Sequence, residues 1–144
     1  MKSYFKYLMS SIVISSILIG CYNNPIDDDE LLITTRSECY VSNFDLTEAS
    51  GLTARYTDPS SQVTVDPVID TVACTIEIKL KFGADLKNLK PNFSLCQDAK
   101  LEPKITGLTD FSDLENPRKY TVVSGNRKVK KTYTIYITVP DGPQ

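Results

Sequence analysis

The sequence predicts an all-β chain folded as an antiparallel sandwich. Three observations predict it. Apolar and polar residues alternate without a break from Asp70 to Phe82. Several short apolar stretches recur with turn residues between them. No segment carries the periodicity of a long amphipathic helix, and nothing repeats internally.

Taken in order, Tyr40 to Leu46 is apolar at intervals and suits a first strand. Thr47 to Ser61 is rich in small, polar and turn-forming residues and reads as a loop or insertion. Gln62 to Asp66 is a short strand closed by Pro67. Asp70 to Phe82 reads as one long strand. Val72, Cys74, Ile76, Ile78, Leu80 and Phe82 fall on its dry face, and Thr71, Ala73, Thr75, Glu77, Lys79 and Lys81 on its wet face. Gly83 to Pro91 is a crossover loop whose Leu86 and Leu89 plug an open end of the core. Asn92 to Cys96 is a short strand, and Leu101 begins another before Gly107. Arg118 to Val123 and Val129 to Val139 make a hairpin, because Ser124-Gly125-Asn126-Arg127 between them tolerates positive φ. Pro140 to Gln144 stops pairing. The expected core is Val41, Phe44, Leu46, Val72, Ile76, Ile78, Leu80, Phe93, Leu95, Tyr120, Val122, Tyr133, Ile135 and Ile137.

The amino-terminal stretch stands outside this pattern. Lys2 and Lys6 precede an apolar run from Tyr7 to Ile19, broken by four serines. A membrane-crossing helix needs roughly 20 apolar residues, so the run is too short to span. A basic start, a short apolar stretch and a small residue before the cut describe a secretory signal. Leu18-Ile19-Gly20-Cys21 reads as a lipobox, the site where a cysteine thiol takes lipid and the chain is cut before it. An ordinary cleaved signal with a coincidental cysteine is the competing reading. The cysteine's place directly after Leu-x-Gly, and the asparagine- and acid-rich stretch behind it, favour the lipobox.

The chain then divides as residues 1–20, a cleaved signal peptide; 21–37, the acylated cysteine and a flexible acidic tether; 38–140, the sandwich; and 141–144, a tail. Losing Lys2 and Lys6 and no acid takes the formal charge from −2 to −4. That mild acidity disfavours nucleic acid and anionic lipid as partners. The run Asp27-Asp28-Asp29-Glu30 is first a solvated linker. It lacks the glycine turn and spaced oxygens of a calcium loop.

No cofactor and no metal are expected. There is no histidine, so neither a Ser-His-Asp nor a Cys-His arrangement can form. Cys39, Cys74 and Cys96 are irregularly spaced, with no C-x-x-C, which argues against zinc. One disulfide with one thiol left over, or three inert thiols, remain open. Asp110, Asp113 and Glu115 are close in sequence, and paired carboxylates hydrolyse glycosides. Solvated loop acids that accept turn N–H groups explain them better. No catalytic residue is therefore assigned. Tyr56, in the long insertion, and Tyr136, on the outward side of the last strand, are the candidate ligand contacts.

The amino-terminal pattern resembles that of bacterial lipoproteins. The resemblance implies a diacylglyceryl group and an amide-linked acyl chain on Cys21, and a membrane partner held through them. Surface-displayed lipoproteins of Bacteroidetes also carry an acidic cluster after the lipidated cysteine. Asp27, Asp28, Asp29 and Glu30 would then serve as an export signal to the outer leaflet.

The stretch from Val41 to Val139 resembles immunoglobulin-like modules of Bacteroidetes surface lipoproteins linked to glycan uptake. The matching residues are Ser42-Asn43-Phe44-Asp45-Leu46, Val68-Ile69-Asp70 leading into Cys74-Thr75-Ile76-Glu77-Ile78, and Gly83-Ala84-Asp85-Leu86 with Leu89 and Pro91. Asp110-Phe111-Ser112, Asn116-Pro117, Tyr120-Thr121-Val122 and Tyr133-Thr134-Ile135 follow in the family's order. Thr47 to Ser61 is longer than the family's first connection, and Asp113-Leu114-Glu115 pads a later one. The resemblance implies an immunoglobulin-like sandwich anchored at the outer membrane. It would face the cell surface, or alternatively the periplasm, as a non-catalytic spacer or docking module for a glycan or another surface protein. A fimbrial or adhesin-type subunit is the alternative, and a hydrolase the remotest.

Overall fold

The structure is a computed structural model and describes residues 25–142. Leu18, Ile19, Gly20 and Cys21 lie outside the described residues, as do Pro143 and Gln144. The chain divides into two compact units, Met1–Leu32 and Ile33–Gln144.

In the first unit, the acidic run closes a tight turn. Ile26 and Leu32 bridge as antiparallel partners. Between them the Asp27 carboxylate accepts the N–H groups of Asp29 (3.1 Å) and Leu31 (2.9 Å), and Glu30 takes a left-handed conformation with φ 62°. Asp28, Asp29 and Glu30 are exposed.

The second unit is all-β; no helix forms among the described residues. Its strands are β1 (Val41–Glu48), β2 (Thr57–Asp58), β3 (Val63–Thr64), β4 (Val68–Asp70), β5 (Thr75–Lys79), β6 (Leu89–Leu95), β7 (Lys100–Glu102), β8 (Lys119–Val123) and β9 (Lys130–Thr138). One sheet pairs β1 with β6, and the other runs β4-β5-β9-β8-β7. β2 and β3 form a separate small ribbon. The arrangement is that of an immunoglobulin-like sandwich. All pairings are antiparallel except β5 with β9, which run parallel. A parallel pair needs a long crossover. Here the chain leaves β5 for β6 in the other sheet before it returns through β7 and β8.

The two inner faces meet in one apolar core. Phe44 from β1 tilts against Phe93 from β6 with ring centroids 4.8 Å apart, and Phe93 meets Tyr120 from β8 at 5.1 Å. Such tilted pairs add about 0.5–1.5 kcal/mol to the area that they bury. Tyr133 is fully buried, and its hydroxyl accepts the Val41 N–H at 3.4 Å, so it ties β9 to β1. Burial pushes its phenol above the ordinary value. Val41, Leu46, Ile76, Ile78, Leu80, Val122 and Ile135 are buried, while Phe93, Leu95 and Ile137 pack half-buried against them. Leu89 is also buried, as the first residue of β6 rather than a loop plug.

The long alternating strand expected over Asp70 to Phe82 is in fact a hairpin and an exit. β4 and β5 pair antiparallel, with Asp70 opposite Thr75. The Asp70 carboxylate accepts the N–H groups of Val72 and Ala73, each at 2.8 Å. Cys74 adopts φ 56°. A short carboxylate that captures the N–H groups two and three residues on offers the backbone a turn in place of a ladder. Val72 consequently stands at the hairpin tip, 91% exposed and not in the core. Phe82, past the end of β5, is 52% exposed.

The β8–β9 hairpin forms where the turn residues place it. The buried Ser124 hydroxyl accepts the Val129 N–H at 3.0 Å and donates to Asn126 Oδ1 at 2.7 Å, and Arg127 takes φ 61°. The segment before β1 crosses this turn: Thr34 N–H donates to Gly125 O (2.9 Å) and Asn126 N–H to Arg36 O (2.8 Å). A Cβ on Gly125 would collide with Thr34 Oγ1 and lie 2.9 Å from Asp98 Cβ, so this close approach requires glycine.

Candidate binding cleft

The expected loop from Thr47 to Ser61 is organised by the strand ends around it. Glu48 N–H donates to Leu52 O at 2.8 Å, and Gly51 turns the chain with φ 85°. Thr53 bridges Thr47 and Arg55 bridges Leu80. Ala54, between them, is fully buried. The chain is thus sewn to the ends of β1 and β5 before it enters the β2–β3 ribbon.

That path fixes Tyr56. Its N–H donates to Lys79 O at 2.9 Å, and its carbonyl accepts the Val65 N–H at 2.9 Å. The Lys79 ammonium lies 3.8 Å from the centre of its ring, a cation–π contact worth about 0.5–1 kcal/mol at an exposed site. Tyr56 lines a cleft of about 400 Å³ together with Thr53, Arg55, Thr57, Pro59, Lys81, Phe82, Pro140 and Gly142. Tyr136, 46% exposed on β9, lines a separate groove of about 210 Å³ with Val65, Val68, Lys79 and Thr138. The two candidate tyrosines therefore occupy different depressions, with Lys79 between them.

The cations of the larger cleft are matched by carboxylates. Arg55 Nε lies 3.2 Å from Asp45 Oδ1, and its guanidinium also pairs with Asp66. Thr53 Oγ1 joins the same network, 3.1 Å from Asp45 Oδ1. Lys81 Nζ is 2.6 Å from Glu48 Oε1. The surface combines aromatic and prolyl faces with hydrogen-bond donors whose charge is balanced.

Phe82 is one of the cleft residues that sequence reasoning missed, beside Arg55 and Lys81. Its parity placed it on the dry side of a strand that ends at Lys79. Gly83, with φ 76°, marks the point where the chain turns away, and Phe-Gly after a strand was the signal available.

The other candidates lie on other segments of the chain. Asp27, Asp28, Asp29 and Glu30 sit on the turn of the first unit. Asp110 accepts the hydroxyl (2.7 Å) and N–H (2.8 Å) of Ser112, and Asp113 accepts the side-chain and backbone N–H groups of Asn116 at 3.0 Å. These bonds favour the ionised form and hold both carboxyls below the ordinary range. A general acid needs the opposite shift, so neither is poised to protonate a glycosidic oxygen.

Cys39, Cys74 and Cys96 are free thiols. Cys39 donates to Val122 O at 3.1 Å, and Cys96 Sγ accepts the Tyr40 N–H at 3.3 Å. Burial raises the Cys39 thiol and keeps it protonated, which suits a packing role rather than a nucleophile. No group of acids and thiols among the described residues is arranged to hold a metal ion. No described helix is long and apolar enough to cross a membrane.

Comparison with known proteins adds a family and a fold. The family model described as SGBP, N-terminal matches residues 56–139. Among solved structures, the chain is similar to a candidate glycoside hydrolase from Bacteroides thetaiotaomicron VPI-5482. The identity is 24% over 73% of this chain and 26% of that one, with a TM-score of 0.55. It is also similar to a DUF4623 family protein from Bacteroides eggerthii DSM 20697 (14% identity, 73% of this chain, 22% of that one, TM-score 0.49). A candidate secreted protein from Bacteroides fragilis NCTC 9343 matches at 13% identity over 74% of this chain and 94% of that one, with a TM-score of 0.43. The first of these shares the fold, and the chain spans 26% of its length. No curated protein matches.

Proposed function

The chain belongs to the SGBP, N-terminal family, an N-terminal module of glycan-utilisation-associated surface proteins of Bacteroidetes, and from that premise we propose that it is a non-catalytic, acyl-anchored lipoprotein of the outer membrane. Its sandwich acts as a spacer and glycan-docking module at the cell surface. The observation that carries this reading is the family match itself, which covers residues 56–139 and takes in the larger sheet together with Tyr56 and Phe82 of the cleft.

Cys21 takes the acyl chains after cleavage behind Leu18-Ile19-Gly20. One chain anchors only marginally, at about 0.8 kcal/mol per buried CH₂, and several hold firmly. Asp27, Asp28, Asp29 and Glu30 act as the export signal, and their exposed turn supports that role. Tyr56 and Tyr136 are the ligand-facing aromatics. Asp110 and Asp113, each held ionised by its own turn hydrogen bonds, are unsuited to the general-acid role of a glycosidase. A fimbrial subunit would join copies through strand edges. On the larger sheet that route is limited, because its edge strands β4 and β7 have three residues each, whereas the edges of the smaller sheet, β1 and β6, are longer. Membrane fractionation tests the anchor: wild-type protein stays with the outer membrane, and Cys21→Ala is released. Retention of Cys21→Ala in the membrane would overturn the reading.

A further inference from the structure

We infer that the cleft lined by Tyr56 and Phe82 is a subsite for an uncharged saccharide, stacked on the two rings and hydrogen-bonded by Arg55 and Lys81. The inference rests on the glycan-docking reading above and deepens it by naming the site and the charge of its ligand. At about 400 Å³ the cleft is within the size range of small-molecule sites. Phe82 is 52% exposed at a position where the chain leaves the sheet, so the ring belongs to the surface and not to the core. Sugar rings carry an apolar C–H face and a rim of hydroxyls, and this cleft offers the complement to both.

Charge selects among ligands. Arg55 is matched by Asp45 and Asp66, and Lys81 by Glu48. A phosphate or uronate entering here would face three carboxylates that already neutralise the cations. A guanidinium nevertheless carries five N–H donors and an ammonium three, more than these contacts use. The cleft is therefore rich in donors without being electropositive, which suits hydroxyl oxygens.

An extended peptide fits less well. The main-chain groups around the cleft are already paired: Tyr56 N–H with Lys79 O, Val65 N–H with Tyr56 O, and Lys81 N–H with Ala54 O. None of these three N–H groups is left for a peptide strand to pair with. The same bonds hold Tyr56 in place before any ligand arrives, which lowers the ordering cost of binding.

The test is calorimetric titration of the mature full-length protein, extracted in detergent. The probes are cello-, malto-, manno- and xylohexaose, with a galacturonic acid hexamer as the charged counterpart. The expected result is binding of at least one neutral hexamer and none of the acidic one. Phe82→Ala and Tyr56→Ala should weaken that binding about tenfold, Tyr56→Phe should retain it, and Leu114→Ala should leave it unchanged. A melting temperature within a few degrees of wild type for Phe82→Ala shows that the fold survives. Neutral binding that Phe82→Ala and Tyr56→Ala leave intact would overturn the cleft assignment while the docking reading stands. Preference for the galacturonate would overturn the charge argument. No binding by any hexamer would remove the subsite, and the fractionation of Cys21→Ala judges the anchor separately.

Discussion

Val72→Ala, measured beside Ile76→Ala, separates two accounts of the same residues. If Asp70 to Phe82 were one strand, both side chains would lie on its dry face. Truncating Val72 would then remove two buried methyl groups at about 0.8 kcal/mol each, plus a cavity term, for a cost of about 2 kcal/mol. In the hairpin, Val72 is 91% exposed and there is almost no burial to lose. The expected change is within about 0.5 kcal/mol, as for an ordinary surface substitution. Ile76 is fully buried in β5, and its truncation costs about 2–5 kcal/mol. A domain near this size loses about 4 °C of melting temperature per kcal/mol. Val72→Ala should therefore shift the midpoint by no more than about 2 °C, and Ile76→Ala by about 8 °C or more. Thermal melts followed by circular dichroism supply the numbers, with urea unfolding by tyrosine emission as the second probe, since the chain has eight tyrosines and no tryptophan. A Val72→Ala cost near 2 kcal/mol would refute the hairpin and restore the single strand.

Other outcomes follow from the same contacts. Gly125→Ala forces a Cβ against Thr34 Oγ1 and Asp98 Cβ and should cost about 1–3 kcal/mol in urea unfolding, whereas a neutral result would mean that the segment before β1 does not cross the β8–β9 turn. Stability should fall at both ends of the pH scale. The carboxyls of Asp58, Asp70, Asp110 and Asp113 are depressed by turn hydrogen bonds. Their contribution is full above the ordinary carboxylate range and is lost as pH falls through the lower folded values. Cys39 and Tyr133 are raised by burial, so theirs is full at neutral pH and is lost as pH rises through the raised folded values. Melting temperature against pH checks both limbs, and Asp70→Asn should flatten the acid limb.

Much of the sandwich was legible because its signals are local. The Ser124 to Arg127 turn announces β8–β9, and the alternation of Tyr133, Ile135 and Ile137 shows which side of β9 faces inward. The β4–β5 hairpin was hidden because alternation continues in phase through the turn. Val72 and Cys74 share the parity of Ile76, and only the capture of two N–H groups by Asp70 breaks the ladder. The parallel β5–β9 pairing was also beyond reach, because it depends on a chain path through the other sheet and not on either strand. At the candidate site, Tyr56 was legible as an aromatic in an insertion. Phe82 was not, because the false continuation of β5 assigned it to the strand's dry face. The matching of Arg55 by Asp45 and Asp66 joins residues distant in sequence, and no spacing rule reports it.

The anchored state is the premise of everything proposed about location. Intact-mass spectrometry of the protein extracted from outer membranes tests it most directly. The account predicts a chain that begins at Cys21 and carries the mass of a diacylglyceryl group and an amide-linked acyl chain. A chain that still begins at Met1, or a Cys21 with an unmodified thiol, would contradict it.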